Sequence, residues 1–266
     1  MKTPGLDLTL REPLGVVGLI VPWNFPMVIA TWKLAPALAC GNTVVLKPAS
    51  LTPLTALRLG ELAQEAGIPP GVVNVLPGPG AAIGAALAAD ADVAKIGFTG
   101  ETATGSAIMA TAAKTIKRVG LELGGKSPNV VFADVDIDEV AAGAVASVFD
   151  NAGQDCCARS RIIVEQAIAE PFVEALVAAT KRLKVGDPLA EGTDMGPLIS
   201  AGQRLSVRGY VETGVAEGAT LRCGGEVLPG DGFFLSPAVF TEARPRMRIV
   251  DEGIFGPVVT VLTFAD

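Results

Sequence analysis

The first 124 residues alternate between short apolar segments rich in β-branched residues and longer segments with helical patterning. A parallel pair of strands needs a crossover of about a dozen residues, usually a helix. The alternation therefore predicts an α/β fold in which a parallel sheet carries helices on both faces. The predicted strands are Leu14–Val21, Thr43–Leu46, Val72–Leu76 and Lys95–Phe98, and the predicted helices are Ile29–Leu38, a segment opened by Thr52 and Pro53, Ala81–Ala89 and Thr102–Ala113.

Sheets of this kind bind ligands at the carboxyl ends of their strands. Four predicted strand ends therefore mark the place where a ligand would bind. The residues at those ends are candidate ligand-binding residues: Val21, Pro22, Trp23 and Asn24; Lys47 to Ser50; Pro77 to Gly80; and Phe98, Thr99, Gly100 and Glu101. Lys47 could also be an ordinary solvated lysine, and Asn24 an ordinary turn residue.

The sequence pattern changes beyond Glu122. We predict a boundary near Gly124-Gly125, which gives two domains, residues 1–124 and 125–266. The second domain is predicted to contain further strands and helices, with strands at Asn129–Phe132, Arg161–Val164, Phe233–Phe240 and Pro257–Leu262 and helices at Ile137–Phe149, Ile168–Leu183 and Gln203–Glu217.

Composition excludes several classes of function. A net charge of −7 over 266 residues argues against nucleic acid and anionic membranes as partners. The uncharged stretch Leu14–Trp32 is interrupted by Pro22 and Pro26, so no membrane span is expected. The chain has no histidine, which removes Ser-His-Asp and Cys-His catalysis and histidine-containing metal sites. No metal site is predicted, and four cysteines in a chain this long suggest reduced thiols in the cytoplasm.

Cys156 is the main candidate nucleophile. It lies beside Cys157 in a turn that follows a helical segment, and Glu122 lies upstream in a glycine-rich stretch. A thiol on a turn and a carboxylate in an apolar segment are groups that covalent carbonyl chemistry needs. The alternative is a buried structural cysteine, which is the more common case for a lone cysteine.

The segment Gly120–Ser127 matches the P-loop pattern of nucleotide triphosphatases. Two features argue against that interpretation. Glu122 would place a carboxylate inside a phosphate cradle. The residues after Ser127 have strand character, so no helix N-terminus would face the phosphate. A P-loop nucleotide triphosphatase stays the least favoured alternative.

Six further segments occur along the chain in this order: Pro22-Trp23-Asn24-Phe25-Pro26, Lys47-Pro48-Ala49, Phe98-Thr99-Gly100, Leu121 to Pro128, Gly153-Gln154-Asp155-Cys156 and Ile254-Phe255-Gly256-Pro257. This is the order seen in the aldehyde dehydrogenase superfamily, and the chain resembles that family over nearly its whole length. The resemblance implies a Rossmann-like cofactor domain followed by an α/β catalytic domain.

The resemblance implies oxidation of an aldehyde to its acid with NAD or NADP. Cys156 would attack the carbonyl, and Asn24 with the Cys156 backbone N–H would hold the oxyanion. Hydride transfer would leave a thioester, which water activated by Glu122 would hydrolyse. Lys33 matches a family lysine assigned to a proton relay with Glu122.

The resemblance also implies a set of cofactor contacts. Lys47 would bind the adenine ribose, and Ser50 stands where members that prefer NAD usually have glutamate, so NADP is allowed. Gly253 replaces a glutamate that usually binds the nicotinamide ribose. The full implied set is Val21, Pro22, Trp23, Lys47, Ser50, Gly80, Phe98, Thr99, Gly100, Glu101, Leu123, Gly124 and Phe255.

Family members are considerably longer at both ends, so the resemblance implies a chain truncated on both sides. In full-length form we expect a homo-oligomer. The alternative to an active dehydrogenase is a truncated or inactive fragment that only binds nucleotide or assembles with another chain.

Overall fold

The computed structural model describes residues 5–265, so the outer domain limits predicted at residues 1 and 266 lie outside the described range. The chain divides into two compact units at the peptide between Leu123 and Gly124. Each unit contains a five-stranded sheet. We call the part up to Leu123 unit 1 and the part from Gly124 unit 2.

The sheet of unit 1 is entirely parallel and has the strand order β3-β2-β1-β4-β5. The chain moves outward from the central β1 to β3 and then continues on the other side of β1 with β4. The connections after β1 and β4 therefore leave in opposite directions, which creates the crevice where such sheets bind ligands. The strands are β1 Val16–Ile20, β2 Thr43–Lys47, β3 Val73–Val75, β4 Val93–Gly100 and β5 Arg118–Leu123.

Helices cover both faces of this sheet, as the sequence predicted. On one face Leu34 packs with Leu19 and Val44, and on the other Ile108 packs with Ile96. These buried aliphatic side chains explain why the strands read as nearly continuous apolar runs. The helices are α1 Pro26–Ala39, α2 Leu54–Glu65, α3 Gly80–Ala89 and α4 Thr102–Ala112.

The start of α2 differs from the prediction. Thr52 does not cap the helix, because the N-cap residue is Pro53 and its side chain makes no capping hydrogen bond. The Thr52 hydroxyl is instead buried without a hydrogen-bond partner among the described residues. The prediction that Thr52 caps this helix is therefore wrong, and Pro53 occupies the N-cap position instead of the first turn.

The sheet of unit 2 is mixed, with the order β6-β7-β10-β9-β8 and an antiparallel edge strand β8. Its core packs Phe172 and Leu176 against Ile162 and Phe240, all of which are fully buried. The strands are β6 Pro128–Val131, β7 Arg161–Glu165, β8 Thr220–Cys223, β9 Ala238–Thr241 and β10 Val258–Phe264. The helices are α5 Ile137–Phe149, α6 Ala169–Arg182, α7 Ala201–Ala216 and the short α8 Arg248–Asp251.

The predicted strand Phe233–Phe240 is wrong over its first half. Pro237 has no N–H to donate to a ladder, and β9 begins directly after it at Ala238. Before it, only an isolated bridge joins Val227 to Leu235. None of the helices within residues 5–265 combines the length and the apolar character needed to cross a membrane.

Candidate active site

Cys156 lies on a loop of unusual backbone conformation between α5 and β7. Asn151, Ala152 and Gly153 have φ angles of 48°, 56° and 69°, so three consecutive residues are left-handed. For residues with a side chain this conformation costs roughly 1–2 kcal/mol each. Such strain persists only where the surrounding structure enforces it, and it concentrates at functional sites.

Gly153 shows what enforces the loop conformation. A Cβ at this position would lie 2.3 Å from the carbonyl oxygen of Gly256 and 2.9 Å from the nitrogen of Pro257. The loop therefore packs backbone against backbone on the segment that precedes β10. Only glycine fits, because it tolerates both the positive φ and the close approach.

Gln154 anchors the same loop by hydrogen bonds. Its side chain is 4% exposed. Its Oε1 accepts from the Ile199 backbone N–H at 2.9 Å, and its Nε2 donates to the Asn151 carbonyl oxygen at 3.0 Å. The Asn151 amide in turn donates to the Gln154 carbonyl at 3.2 Å. Two residues before the candidate nucleophile, the backbone is thus tied to a neighbouring segment.

The Cys156 thiol is half-buried, and its Sγ lies 3.7 Å from the Cys157 Sγ. Burial, followed by the contact with Cys157 and the charge of Asp155, raises the pKa of Cys156 to about 11. The resting group at neutral pH is therefore the thiol, whereas the thiolate is the nucleophile. The chemistry of this site needs a base, and the chain has no histidine to serve as one.

Phe255 lies in the segment that the Cys156 loop packs against. Its φ of 56° is left-handed, and its carbonyl oxygen accepts a hydrogen bond from Gln203 Nε2 at 2.8 Å. A Cβ on the next residue, Gly256, would lie 2.4 Å from Val207. The predicted residues Cys156 and Phe255 are therefore carried by two loops that contact each other through Gly153 and Gly256.

Glu252, which precedes the Gly253 of the family pattern, is bound by other side chains. Its carboxylate accepts hydrogen bonds from Arg248 at 2.8 and 2.9 Å and from the Tyr210 hydroxyl at 2.7 Å. These contacts lower the pKa of Glu252 to about 2. Its oxygens are already engaged. A side chain at Gly253 would meet no atom closer than 3.9 Å, so that position has room for one.

In unit 1, the end of β1 leads into the turn that carries Asn24. Val21 is buried, and its N–H donates to the Lys47 carbonyl at 3.1 Å, which ties the ends of β1 and β2 together. Pro22, Trp23 and Asn24 are half-buried. Pro26 opens α1 at a position where its missing N–H costs nothing.

Lys47, Gly80 and Ser50 come together at the ends of β2 and β3. Lys47 is 4% exposed, and burial lowers its pKa. A Cβ on Gly80 would lie 3.5 Å from the Lys47 ammonium, so the first residue of α3 approaches it closely. Ser50 is exposed and donates to the Gly78 carbonyl at 2.8 Å. A buried lysine beside a helix start is suited to anionic or hydroxylated ligands.

The end of β4 brings together Phe98, Thr99, Gly100 and Glu101. The buried Phe98 ring lies over Gly100, where a Cβ would approach it to 2.6 Å. The Thr99 hydroxyl is buried and has no hydrogen-bond partner among residues 5–265. Glu101 is exposed at the N-cap position of α4.

Glu122 is exposed near the end of β5, where it pairs in register with Thr99. Parallel strands in register place the side chains of both residues on the same face of the sheet. Lys33 of α1 lies on that face, 3.7 Å from where a Gly97 Cβ would be. Burial lowers the pKa of Lys33, and the charge of Glu122 opposes that shift. Lys33 and Glu122 are therefore electrostatic neighbours.

Leu123 and Gly124 complete the predicted set. The Leu123 side chain packs against α4, where a Cβ on Gly105 would lie 2.8 Å from it. Its backbone pairs with Gly100 at the sheet end. Gly124 is exposed and has open space where a side chain would be.

The structure contradicts the P-loop interpretation. Residues 118–123 form β5, and the next element after Lys126 is the strand β6, which begins at Pro128. No helix N-terminus follows the glycines, so the pattern match lacks the dipole and N–H groups that hold phosphate.

Two structural residues were missed by the sequence analysis. Gln203 was seen only as part of a helix, and Gln154 only as part of a motif, yet each holds a loop that carries a candidate site residue. No local pattern predicts a glutamine that bonds to backbone far along the chain. β5 was also missed, although Arg118 to Leu123 alternates strictly between apolar and other residues, as a strand does.

The sequence matches the family described as the aldehyde dehydrogenase family over residues 2–266. It is 52% identical to retinal dehydrogenase 2 of Mus musculus over 257 residues, which cover 96% of this chain and 50% of that protein. It is 49% identical to the chloroplastic betaine aldehyde dehydrogenase of Beta vulgaris, again covering 96% of this chain and 52% of the relative.

A solved structure, the NAD⁺ complex of an aldehyde dehydrogenase from Bacillus cereus, superposes with a TM-score of 0.94 at 49% identity. The match covers 96% of this chain and 52% of that one. The chain thus spans about half the length of the curated relatives it matches. With a family match across almost all its residues, and with the fold and loops described above, this chain belongs to the aldehyde dehydrogenase family.

Proposed function

We propose that this chain carries the cofactor-binding and thiol-bearing parts of an enzyme that oxidises an aldehyde to its carboxylic acid with NAD or NADP. The observation that carries the proposal is the strained loop of Cys156. Three left-handed residues, a glycine packed on Gly256 and a buried glutamine hold one half-buried thiol in place. A structural cysteine would need none of these constraints.

The residues of unit 1 fit a dinucleotide at the carboxyl ends of β1 to β4. A dinucleotide can use the buried Lys47 ammonium and the surfaces without side chains at Gly80 and Gly100. It can also use the buried Thr99 hydroxyl, which has no hydrogen-bond partner within the described part of the chain. The nicotinamide of the bound cofactor would supply the hydride acceptor. The NAD⁺ complex of the Bacillus cereus relative supports this assignment.

The residues of the chain have separate roles in the proposed reaction. The Cys156 sulfur adds to the aldehyde carbon as a base takes up its proton, which gives a thiohemiacetal, and the oxidised carbon stays bound as a thioester. Asn24 and the Cys156 backbone N–H donate to the oxyanion. Glu122 takes a proton from the water that hydrolyses the thioester, and Lys33 passes that proton on.

Ser50 supports acceptance of either cofactor. A carboxylate at this position would repel a ribose 2′-phosphate, whereas the Ser50 hydroxyl is neutral and already donates to Gly78. The aldehyde itself is left open within the proposal, since the relatives are named for substrates as different as retinal and betaine aldehyde.

The setting we propose is the cytoplasm, where Cys156 stays reduced, and the assembly is a homo-oligomer of the full-length protein. The net charge of −7 disfavours nucleic acid and anionic membrane surfaces as partners.

The proposal is tested by a single-turnover burst of NADH or NADPH from the purified chain and a short aliphatic aldehyde. Cys156→Ala should abolish the burst, because the thioester cannot form. Cys157→Ala should keep it, since Cys157 has no role in the proposed steps. The assignment of Cys156 would be rejected if both variants lost the burst equally or if the burst survived Cys156→Ala. If the unsubstituted chain bound cofactor but gave no burst, the fragment alternative would be favoured.

A further inference from the structure

Three potential metal ligands are adjacent in the Cys156 loop. The Sγ atoms of Cys156 and Cys157 and a carboxylate oxygen of Asp155 all lie within 4.8 Å of one another. In an extended chain successive side chains point to opposite sides. The turn at residues 155–157 instead brings the two sulfurs to 3.7 Å on one side of the loop.

The distance between the Cys156 and Cys157 sulfurs matches the geometry of tetrahedral zinc coordination. Two thiolates bound at about 2.3 Å to one tetrahedral Zn²⁺ lie roughly 3.8 Å apart. The observed 3.7 Å between the Cys156 and Cys157 sulfurs therefore needs almost no adjustment. One Asp155 oxygen accepts from the Cys157 N–H at 3.1 Å, so rotation of the carboxylate can bring its other oxygen toward the same ion.

The loop also meets two further requirements of a metal site. Cys157 is exposed and Cys156 and Asp155 are half-buried, so an ion can reach all three. The hydrogen bonds of Gln154 and the packing of Gly153 hold the backbone in place, so little ordering is needed on binding. A preorganised set of soft ligands favours a thiophilic ion over Mg²⁺ or Ca²⁺.

We propose that Asp155, Cys156 and Cys157 bind Zn²⁺ as a tridentate S₂O site, with water as the fourth ligand. Each sulfur bonds to the ion as its proton is released to solvent. Binding occupies the Cys156 sulfur. If Cys156 is the nucleophile of the proposed function, Zn²⁺ is therefore an inhibitor that acts by masking it. This departs from the sequence-based expectation of no metal site, which rested on the absence of histidine.

The test measures binding directly, without aldehyde or cofactor. Zn²⁺ is titrated into the reduced chain against a chromophoric chelator, and Cd²⁺ is titrated separately while thiolate-to-metal absorption in the ultraviolet is recorded. We expect one ion per chain and an absorption from two thiolates. Cys157→Ser should halve that absorption and weaken Zn²⁺ binding by about tenfold or more, and Asp155→Asn should weaken binding without changing the absorption.

Cys223→Ser is the matched control, because Cys223 lies in β8 away from this loop, and it should leave both signals unchanged. Thermal unfolding verifies that each variant is folded. Unchanged Zn²⁺ affinity in folded Cys157→Ser, or loss of the signal in Cys223→Ser, would overturn the proposal. Should Zn²⁺ bind as expected in a chain that shows no aldehyde burst, the metal site stands and the proposed function alone fails.

Discussion

The two units present their candidate site residues in different ways. In unit 1, Lys47, Thr99 and Glu122 lie on regular parallel strands, at or beside the strand ends, and none of the three has a left-handed backbone. In unit 2, Cys156 and Phe255 are carried by two loops with left-handed residues and close backbone contacts. Topology positions the first set, and loop packing positions the second.

This difference has a consequence for stability. The residues of unit 1 can change without disturbing the backbone that places them, because sheet pairing is independent of those side chains. The loops of unit 2 depend on particular glycines and glutamines, so their function and their folding are coupled. Substitutions in the two units should therefore differ in their effects on stability.

Gly153→Ala should strongly destabilise unit 2. The added Cβ would lie 2.3 Å from the Gly256 carbonyl oxygen, and alanine disfavours the φ of 69°. We expect a loss of about 3 kcal/mol or more in the free energy of unfolding, measured by chemical denaturation.

Two glycines serve as controls for that substitution. Gly120→Ala in β5 of unit 1 meets no atom closer than 4.0 Å and should change stability by less than about 1 kcal/mol. Gly143→Ala inside α5 meets nothing within 4 Å and should stabilise by up to about 1 kcal/mol. If Gly153→Ala were as mild as Gly120→Ala, the contrast between the units would not hold.

Lys47→Met should separate binding from stability in unit 1. Removal of a buried ammonium eliminates its desolvation cost, so the melting temperature should stay the same or rise. Affinity for NAD or NADP should fall by about tenfold or more, which corresponds to ~1.4 kcal/mol. Equilibrium binding measured by cofactor fluorescence would check this.

Lys114 is an exposed lysine, so its substitution serves as the control for loss of one positive charge without loss of a buried group. Lys114→Met should leave cofactor affinity unchanged. A fall in the melting temperature of Lys47→Met, with affinity retained, would mean that this lysine is structural.

Cys157→Ala should have the smallest effect, on the reactivity of its neighbour. Burial comes first among the causes that raise the pKa of Cys156, and the contact with Cys157 comes next. Without that contact the pKa falls and the thiolate fraction at pH 8 rises. A thiolate of lower pKa is also a weaker nucleophile, which offsets part of this gain. We therefore expect the alkylation of Cys156 to accelerate by only about threefold for each pH unit by which its pKa falls.

Iodoacetamide labelling followed by peptide mass spectrometry resolves Cys156 from the other thiols. In wild type the labelling rate should keep rising as the pH increases toward about 11, since the thiolate becomes the dominant form there. A rate that levels off near pH 8 would show that the resting thiol is already activated.

Much of unit 1 could be predicted from local patterns. Alternation of apolar strands and helices gave a parallel sheet, and most strand ends were located within one or two residues. β5 was not predicted, because Gly120 weakens its strand pattern and the segment from Gly120 also matches a P-loop by chance. In unit 2, the predicted strand Phe233–Phe240 began too early, because Pro237 cannot donate to a strand ladder and β9 starts only at Ala238.

The α/β fold class, the family and the candidate nucleophile could all be predicted from the amino-acid sequence. These depend on hydrophobic period and on short motifs, both of which are local. Three features of unit 2 could not be predicted in this way and are seen in the folded chain: Gly153 packs on Gly256, Glu252 is held by Arg248 and Tyr210, and burial raises the pKa of Cys156. Each of these is set by contacts between segments that approach one another only after packing, and no local pattern encodes them.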